Sequence, residues 1–126
     1  MYPQSEIDLA FPARPESAPQ FRNALRAFLE AARIEHGHIN DVVLAAGEAA
    51  GNAIEHAYRG QAGVFRLKAS LAGKRLIIEI WDGGRWRLDG DPERGRGLGI
   101  MRALVDDVAI ESTRSGTSVR LVLALP

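Results

Sequence analysis

The stretch GEAAGNAIEHAY, residues 47–58, carries the pattern on which the interpretation of this fold depends. Its alanines recur at the spacing of a helix with one buried face. The same stretch holds a carboxylate at Glu48, a carboxamide one turn later at Asn52, and glycines at Gly47 and Gly51. Each glycine inside a helix costs about 1 kcal/mol relative to alanine. We therefore expect the glycines to have a compensating role, which is either tight helix packing or space for a ligand.

The helix around this stretch is predicted to begin at Asn40 or Asp41 and to end at 57 or 58. At about 100° per residue, its polar residues Glu48, Asn52, Glu55 and His56 share one side. The opposite side is predicted to face the core and consists of Ile39, Val42, Val43, Ala46, Ala50, Ala53 and Ala57. A solvated polar face is the simplest interpretation of the first group. The two glycines instead favour a groove beside Glu48 and Asn52.

The other elements surround this helix in a regular order. A first amphipathic helix is predicted from Gln20 to about Glu35, with Gly37 ending it and a stripe of Phe21, Leu25, Phe28, Leu29 and Ala32 facing the core. Strands are predicted for EIDLAF, VFRLKASL, RLIIEIW, VAIEST and TSVRLVLAL, and a short helix for GIMRALVDDV with Ile100, Leu104 and Val108 on one face. The order β-α-α-β-β-loop-α-β-β predicts an α/β (α+β) two-layer sandwich, with helices on one face of a mostly antiparallel mixed sheet.

The composition sets broad limits on function. The 126 residues fit one domain, 46% are hydrophobic, and 16 basic side chains balance 16 acidic ones. This balance gives no support for a nucleic-acid or membrane partner. The chain has no cysteine, no signal-peptide pattern and no apolar run long enough for a membrane span, so we expect a cytoplasmic protein. His36, His38 and His56 lack the spacing of a zinc site.

A second polar constellation follows the strand RLIIEIW. Asp82 is expected at the strand end, and Gly83 and Gly84 allow a sharp turn. Further on, alternating glycines are predicted to form a turn that opens the short helix, where backbone N–H groups and the helix dipole favour a phosphate; these are Gly95, Gly97 and Gly99. Arg94 and Arg96 add positive charge for phosphate oxygens. The acid–amide pair in the middle helix suits Mg²⁺ and a phosphoryl group, with a carboxylate that accepts a proton.

These motifs, in this order, resemble the GHKL (Bergerat-fold) ATP-binding superfamily, and within it the anti-sigma-factor serine/threonine kinases of bacterial partner-switching systems. EAAGNAIEHAY is similar to their N-box, IWDGGRW to their first glycine box, RGRGLGIMRALVDDV to their second, and GTSVRLVLAL to the closing strand pair. The resemblance spans nearly the whole chain. It implies one kinase domain over residues 1–126, with the middle helix and the glycine- and arginine-rich segment facing each other across a nucleotide cleft.

The resemblance also implies roles for single residues. Glu48 would be the general base and Asn52 the Mg²⁺ ligand, and Asp82 would accept a hydrogen bond from the adenine amino group. Gly84 would let the backbone approach the base. The segment Arg94, Gly95, Arg96, Gly97, Leu98 and Gly99 would line the phosphates, and Thr117 would lie on the adenine side. ATP and Mg²⁺ are the cofactors implied, and the implied partners are a STAS-type antagonist, a sigma factor and a second copy in a homodimer.

Two departures from the family pattern keep an alternative open. The first glycine box usually reads DxGxG, whereas this chain has Trp86 at the second glycine, as a lid anchor or as a core residue. The segment from Arg85 to Arg94 is short, which implies a small lid. The alternative is a non-catalytic module that binds nucleotide or sequesters a partner, similar to those beside PP2C-type phosphatase domains. A two-component histidine kinase is disfavoured because no dimerisation helices or phospho-acceptor histidine segment precede the N-box.

Overall fold

The computed structural model describes residues 6–58, 61–84 and 92–126, and for residues 92–96 it describes the backbone only. Three α-helices, one π-helical turn and five strands follow one another in the predicted order. They are β1 (Glu6–Pro12), α1 (Ser17–Ala31), α2 (His36–Asn52), the π segment (Ala53–Ala57), β2 (Val64–Ala72), β3 (Arg75–Asp82), α3 (Pro92–Leu104), β4 (Asp107–Thr113) and β5 (Gly116–Ala124). In the described part of the chain no helix is long and apolar enough to cross a membrane.

The five strands form one sheet in the order β1-β2-β3-β5-β4, and all four pairings are antiparallel. The predicted α+β class with a mostly antiparallel sheet is confirmed. β3 lies in the middle of the sheet, so its last residue, Asp82, has Phe65 of β2 on one side and Thr117 of β5 on the other. This register brings Asp82 and Thr117 together although they are far apart in sequence.

The core lies between the inner face of the sheet and helices α1 and α2. The predicted stripe of α1 is buried except for Ala32, which packs partly against the core, and all seven predicted apolar residues of the middle helix are buried. The rings of Phe11, Phe21 and Phe65 meet with centroids 5.5–5.9 Å apart and connect β1, α1 and β2. Helical periodicity therefore predicted the buried faces correctly, because side chains at this spacing share the side of the helix that packs into the core, away from water.

The predicted boundary between the first two helices is wrong. α1 ends at Ala31 because Arg33 adopts a left-handed conformation with φ 60°, and Gly37 lies in the first turn of α2. The N–H of Arg33 bonds to Glu30 O at 2.9 Å and the N–H of Ile34 to Leu29 O at 3.1 Å, which is the hydrogen-bond pattern of a Schellman motif. α1 thus ends without a glycine in the left-handed position, and the residue after Arg33, Ile34, is buried with 8% of its surface exposed.

The predicted bounds of the third helix are also wrong, and its predicted apolar face is wrong in part. α3 begins at Pro92 and ends at Leu104, which packs partly against the core, whereas Ile100 is 37% exposed. Val108 also packs partly against the core, but from β4. The apolar side chains described as buried on this helix and just after it are Met101 and Val105. β4 begins at Asp107. The residue before it, Asp106, is already hydrogen-bonded to the neighbouring strand β5. Its N–H bonds to Val122 O at 3.0 Å, and its carboxylate accepts from the N–H of Ala124 at 2.6 Å.

Candidate functional site

Helices α2 and α3 bring the first two predicted motifs together. A Cβ placed on Gly97 of α3 would lie 3.4 Å from Glu48 Oε2 and 3.7 Å from Asn52 Nδ2 of α2. The expectation that the middle helix and the glycine- and arginine-rich segment face each other is confirmed. Gly97 thus faces the acid–amide pair at a distance at which a methyl group would make ordinary van der Waals contact.

Asn52 has an unsatisfied buried amide. Its Nδ2 atom is buried and has no hydrogen-bond partner, a condition found at no other buried side-chain nitrogen or oxygen in the described part of the chain. A buried polar atom without a partner costs about 1–3 kcal/mol, so such an atom in a native fold needs an explanation. A carboxamide can exchange its nitrogen and oxygen positions by rotation, so Asn52 can present an acceptor to a cation at the same place. The donor set of Asn52 and the neighbouring Glu48 carboxylate fits Mg²⁺, which prefers oxygen ligands.

The two glycines of α2 border open space. A Cβ on Gly47 or Gly51 would meet no atom of the described residues within 4 Å outside the local helix backbone. Tight helix packing, the first of the two roles considered for these glycines, is therefore wrong. The open strip runs beside Glu48 and Asn52, both of which are partly exposed. Space for a ligand remains the role that is consistent with the structure.

The prediction that the glycines of the second box form a turn before a helix is wrong. Gly95, Gly97 and Gly99 all lie within α3. Only the first four N–H groups of a helix lack partners inside it, and Gly97 and Gly99 lie beyond the first four residues of α3. The N–H groups of Gly97 and Gly99 are therefore used by the helix in this conformation. The packing of Gly97 and the burial of Met101 outweigh the low helix propensity of glycine. Leu98 packs partly against the core, and a Cβ on Gly99 would meet nothing within 4 Å.

The side chains of Arg94 and Arg96, and Trp86 with most of the short lid segment, lie outside the described residues.

A second cluster forms where β3 and β5 end. Asp82 is 1% exposed, and its Oδ1 accepts a hydrogen bond from the N–H of Gly84 at 2.8 Å. Thr117 is fully buried and donates its hydroxyl hydrogen to Gly84 O at 3.1 Å, with Ser112 Oγ 3.2 Å away. Gly116 starts β5 with φ 145°, and a Cβ there would collide with the carbonyl of Asp82. The structure thus brings together three residues predicted for the site: Asp82, Gly84 and Thr117.

The π segment connects the two clusters. It begins directly after Asn52 and ends at Ala57, whose backbone lies so close to Gly84 that a Cβ on this glycine would overlap it. Single π-helical turns within α-helices are frequent at functional sites. Gly84 is thus required for the close approach of the Ala57 backbone. From the sequence we expected a different reason, the approach of the Gly84 backbone to the base.

Tyr58 is the residue at this connection that sequence reasoning missed. Its hydroxyl bonds to Val64 O and accepts from the N–H of Gly83 at 2.7 Å. The sequence feature that could have indicated a role for Tyr58 is the pair of glycines Gly63 and Gly83. A Cβ on Gly63 would overlap the tyrosine ring, and a Cβ on Gly83 would lie 3.1 Å from the tyrosine hydroxyl oxygen.

The outer face of the sheet has a separate hollow of about 510 Å³, lined by Asp8, Arg66, Lys68, Glu79, Trp81 and Ser118. Arg66 and Asp8 form an ion pair at 3.0 Å, and Arg120 lies 3.9 Å from Glu79 on the same face. All four side chains are about half exposed, and such surface pairs contribute little to stability. None of the lining residues belongs to the two clusters on and beside α2.

Comparison with known proteins supports this arrangement. A sequence profile of the histidine kinase-like ATPase domain matches residues 11–123. The chain belongs to this family. The GHKL resemblance is thereby confirmed, and an ATPase domain of this type implies ATP binding.

Relatives of this histidine kinase-like ATPase domain include anti-sigma factors and a serine kinase. The chain is 28% identical to an anti-sigma F factor of Clostridium acetobutylicum, over 92% of this chain and 91% of the relative. It is 27% identical to an anti-sigma F factor of Thermoanaerobacter sp. (strain X514), over 91% and 90%. It is also 27% identical to the serine-protein kinase RsbW of Bacillus pumilus, over 91% and 83%.

Solved structures agree with the family assignment. The crystal structure of the RsbU and RsbW domains of Rv1364c from Mycobacterium tuberculosis superposes with a TM-score of 0.80 at 28% identity. The match covers 97% of this chain, which spans only 33% of that one. A histidine kinase domain from Erythrobacter litoralis, 23% identical with a TM-score of 0.63, shares the fold.

Proposed function

We propose that this domain is an anti-sigma-factor serine/threonine protein kinase. It binds Mg-ATP, transfers the γ-phosphoryl group to a serine or threonine of a STAS-type antagonist, and sequesters a sigma factor. The observation that carries the proposal is the meeting of Glu48, Asn52 and Gly97, because it joins a carboxylate, an unsatisfied amide and a glycine-rich helix at one place. The names of the anti-sigma F and RsbW relatives support the choice of partner and reaction.

The adenine side of the site is assigned to Asp82, Gly84 and Thr117. The buried carboxylate of Asp82 accepts from the backbone of Gly84, and because a carboxylate can accept several hydrogen bonds it can also accept from an amino group of the base. Thr117 holds the carbonyl of Gly84, which keeps the turn in place. Burial of the Asp82 carboxylate makes the discrimination strong, because a ligand without the matching donor leaves a buried acceptor unpaired.

The phosphate side of the site is assigned to α2 and α3. Asn52 would hold Mg²⁺ through its amide oxygen. When bound, the ion neutralises charge on the phosphate oxygens. Gly95, Gly97 and Gly99, with Arg94 and Arg96, would contact the phosphates, which requires the first turns of α3 to release backbone N–H groups now used by the helix.

Glu48 is assigned the proton transfer. Its partly exposed carboxylate lies at the open strip along α2, where a protein hydroxyl can reach it. Glu48 accepts the hydroxyl proton while the serine or threonine oxygen bonds to the γ-phosphorus and the bond from that phosphorus to the β,γ-bridging oxygen breaks, releasing ADP. Residues 1–126 form one such domain under this proposal, which acts as a homodimer in the cytoplasm.

The test is phosphoryl transfer from γ-labelled ATP to a STAS-type antagonist protein. The parent should label that protein on serine or threonine, and Glu48→Ala should reduce the rate by about 10²–10⁴-fold. Glu55→Ala is the matched control, since Glu55 is an exposed carboxylate on the π segment that contacts His56 at 3.5 Å. Equal rates for Glu48→Ala and the parent, or no transfer at all, reject the kinase proposal.

A second candidate is a non-catalytic module that binds nucleotide or sequesters a partner. Trp86 at the position of the second glycine of DxGxG favours it, as does the mycobacterial relative in which an RsbW domain is part of a longer chain with an RsbU domain. Under this reading ATP or ADP binds without turnover and changes the affinity for the partner. Calorimetry that detects no nucleotide binding at millimolar concentration rejects both candidates.

A further inference from the structure

Tyr58 links three segments of the fold at the end of the π segment. Its hydroxyl donates a hydrogen bond to the carbonyl of Val64, the first residue of β2. The same oxygen accepts a hydrogen bond from the N–H of Gly83 at 2.7 Å. The ring fills the space left by the missing side chain of Gly63. One hydroxyl therefore ties the turn after β3 to the helix that carries Glu48.

The turn that Tyr58 holds is the turn that carries the Asp82 carboxylate. Successive N–H groups of this turn have different acceptors: Gly83 bonds to Tyr58, and Gly84 bonds to Asp82 at 2.8 Å. Because both donors are used, the direction of each peptide plane is determined, and with it the orientation of the carboxylate. The carbonyl of Gly84 is held separately by Thr117 at 3.1 Å.

In the described part of the chain, Tyr58 supplies the acceptor for the N–H of Gly83. Gly83 is exposed to solvent, so without Tyr58 its N–H would bond to water and the turn could reorient. The ring of phenylalanine would keep the packing against Gly63 and lose both hydrogen bonds.

We propose that Tyr58 is a positioning residue for base recognition: its hydroxyl holds the turn 82–84 in the orientation in which the Asp82 carboxylate accepts from the adenine amino group. The inference rests on the proposed nucleotide site and adds a residue to it. Tyr58 acts through Gly83 and Asp82 and is not a catalytic residue.

The experiment compares two nucleotides on two proteins. The dissociation constants of ATP and of purine riboside triphosphate, which lacks the 6-amino group, are measured by calorimetry on the parent and on Tyr58→Phe. The parent should prefer ATP by about tenfold or more, the ratio expected for a hydrogen bond to a charged acceptor. In Tyr58→Phe we expect the preference to fall below about threefold, because a loosened carboxylate no longer selects the amino group. If Tyr58 had only a structural role, Tyr58→Phe would weaken the binding of both nucleotides equally and leave the ratio of their dissociation constants unchanged.

Ser115→Ala is the matched control. It removes an exposed hydroxyl that lies 2.8 Å from Thr113 Oγ1 in the turn between β4 and β5, and among the described residues this hydroxyl has no hydrogen bond to the turn 82–84. Its ratio should equal that of the parent.

The outcomes separate the two proposals. An unchanged ratio in Tyr58→Phe overturns the role of Tyr58 and leaves the nucleotide site standing. A parent that binds both nucleotides equally overturns base selection by Asp82 and with it the role of Tyr58, whereas a parent that binds neither rejects the proposed function itself.

A second measurement needs no variant. The amide hydrogen of Gly83 in the nucleotide-free parent should exchange slowly although the residue is exposed, because it is bonded to Tyr58. Exchange at the rate of an unbonded exposed amide overturns the proposal even if Tyr58→Phe does not fold.

Discussion

Gly84 and Ala57 approach each other so closely that no Cβ atom fits between them. The contact joins the turn after β3 to the π segment that follows α2, and thereby sets the spacing between the Asp82 cluster and the Glu48–Asn52 pair. The neighbouring atoms are backbone atoms of Ala57, which cannot move as a flexible side chain does.

Gly84→Ala should therefore destabilise the fold by about 1–3 kcal/mol through overpacking. Gly51→Ala is the matched change at a glycine with open space, and it should stabilise the chain by about 0.4–1 kcal/mol. Urea denaturation of both variants measures the difference. Equal midpoints for Gly84→Ala and the parent would show that the close approach is not maintained in solution.

Asn52→Leu should separate stability from binding. The substitution removes a buried amide nitrogen without a partner, so the free energy of unfolding should stay the same or rise by about 1 kcal/mol. Mg²⁺-dependent ATP binding should be lost, because leucine offers no ligand oxygen. The control is Asn40→Leu on the same helix, where Asn40 only accepts from Arg26 at 3.1 Å and binding should be unchanged. Retained Mg²⁺-dependent binding in Asn52→Leu contradicts the assignment.

Gly97→Ala should stabilise the free protein and weaken nucleotide binding. Its Cβ would lie 3.4 Å from Glu48 Oε2, the end of a flexible side chain that can shift, so the gain in helix stability of about 0.4–1 kcal/mol should dominate. Binding should weaken because the proposed phosphate contacts require α3 to open. Gly37→Ala, a glycine in the first turn of α2, should raise stability without changing affinity. The prediction fails if Gly97→Ala binds ATP as tightly as the parent.

Thr117→Val should weaken both the fold and the affinity for ATP. The change keeps the shape of the side chain but removes a fully buried hydroxyl that holds Gly84 O, which costs about 1–3 kcal/mol. Thr113→Val removes an exposed hydroxyl of the β4–β5 turn that bonds to Ser115 and to Gly116 O, and it should cost about 0.5 kcal/mol, the low end of the net contribution of a hydrogen bond. Thermal unfolding and calorimetry measure the two effects. Similar losses for the two variants would contradict a special role for Thr117.

Local sequence patterns predicted the secondary structure well where one face of an element is buried. The apolar faces of α1 and α2 follow the helical period, because residues at that spacing share the side of the helix that packs into the core. The ends of helices were less predictable. Arg33 takes the left-handed conformation that usually belongs to glycine, because the hydrogen bonds of the α1 terminus and the burial of Ile34 offset its cost.

The sequence by itself determined the order of the elements, the buried faces of the first two helices, and the family, through three motifs in a characteristic order. Only the tertiary structure decided that Gly97 lies against Glu48 and Asn52, that Gly84 lies against Ala57, and that Tyr58 holds the turn at Gly83. The physical reason is that periodicity reports how much of a side chain is removed from water. It does not report which distant backbone covers that side chain, because that depends on how helices and sheet pack together.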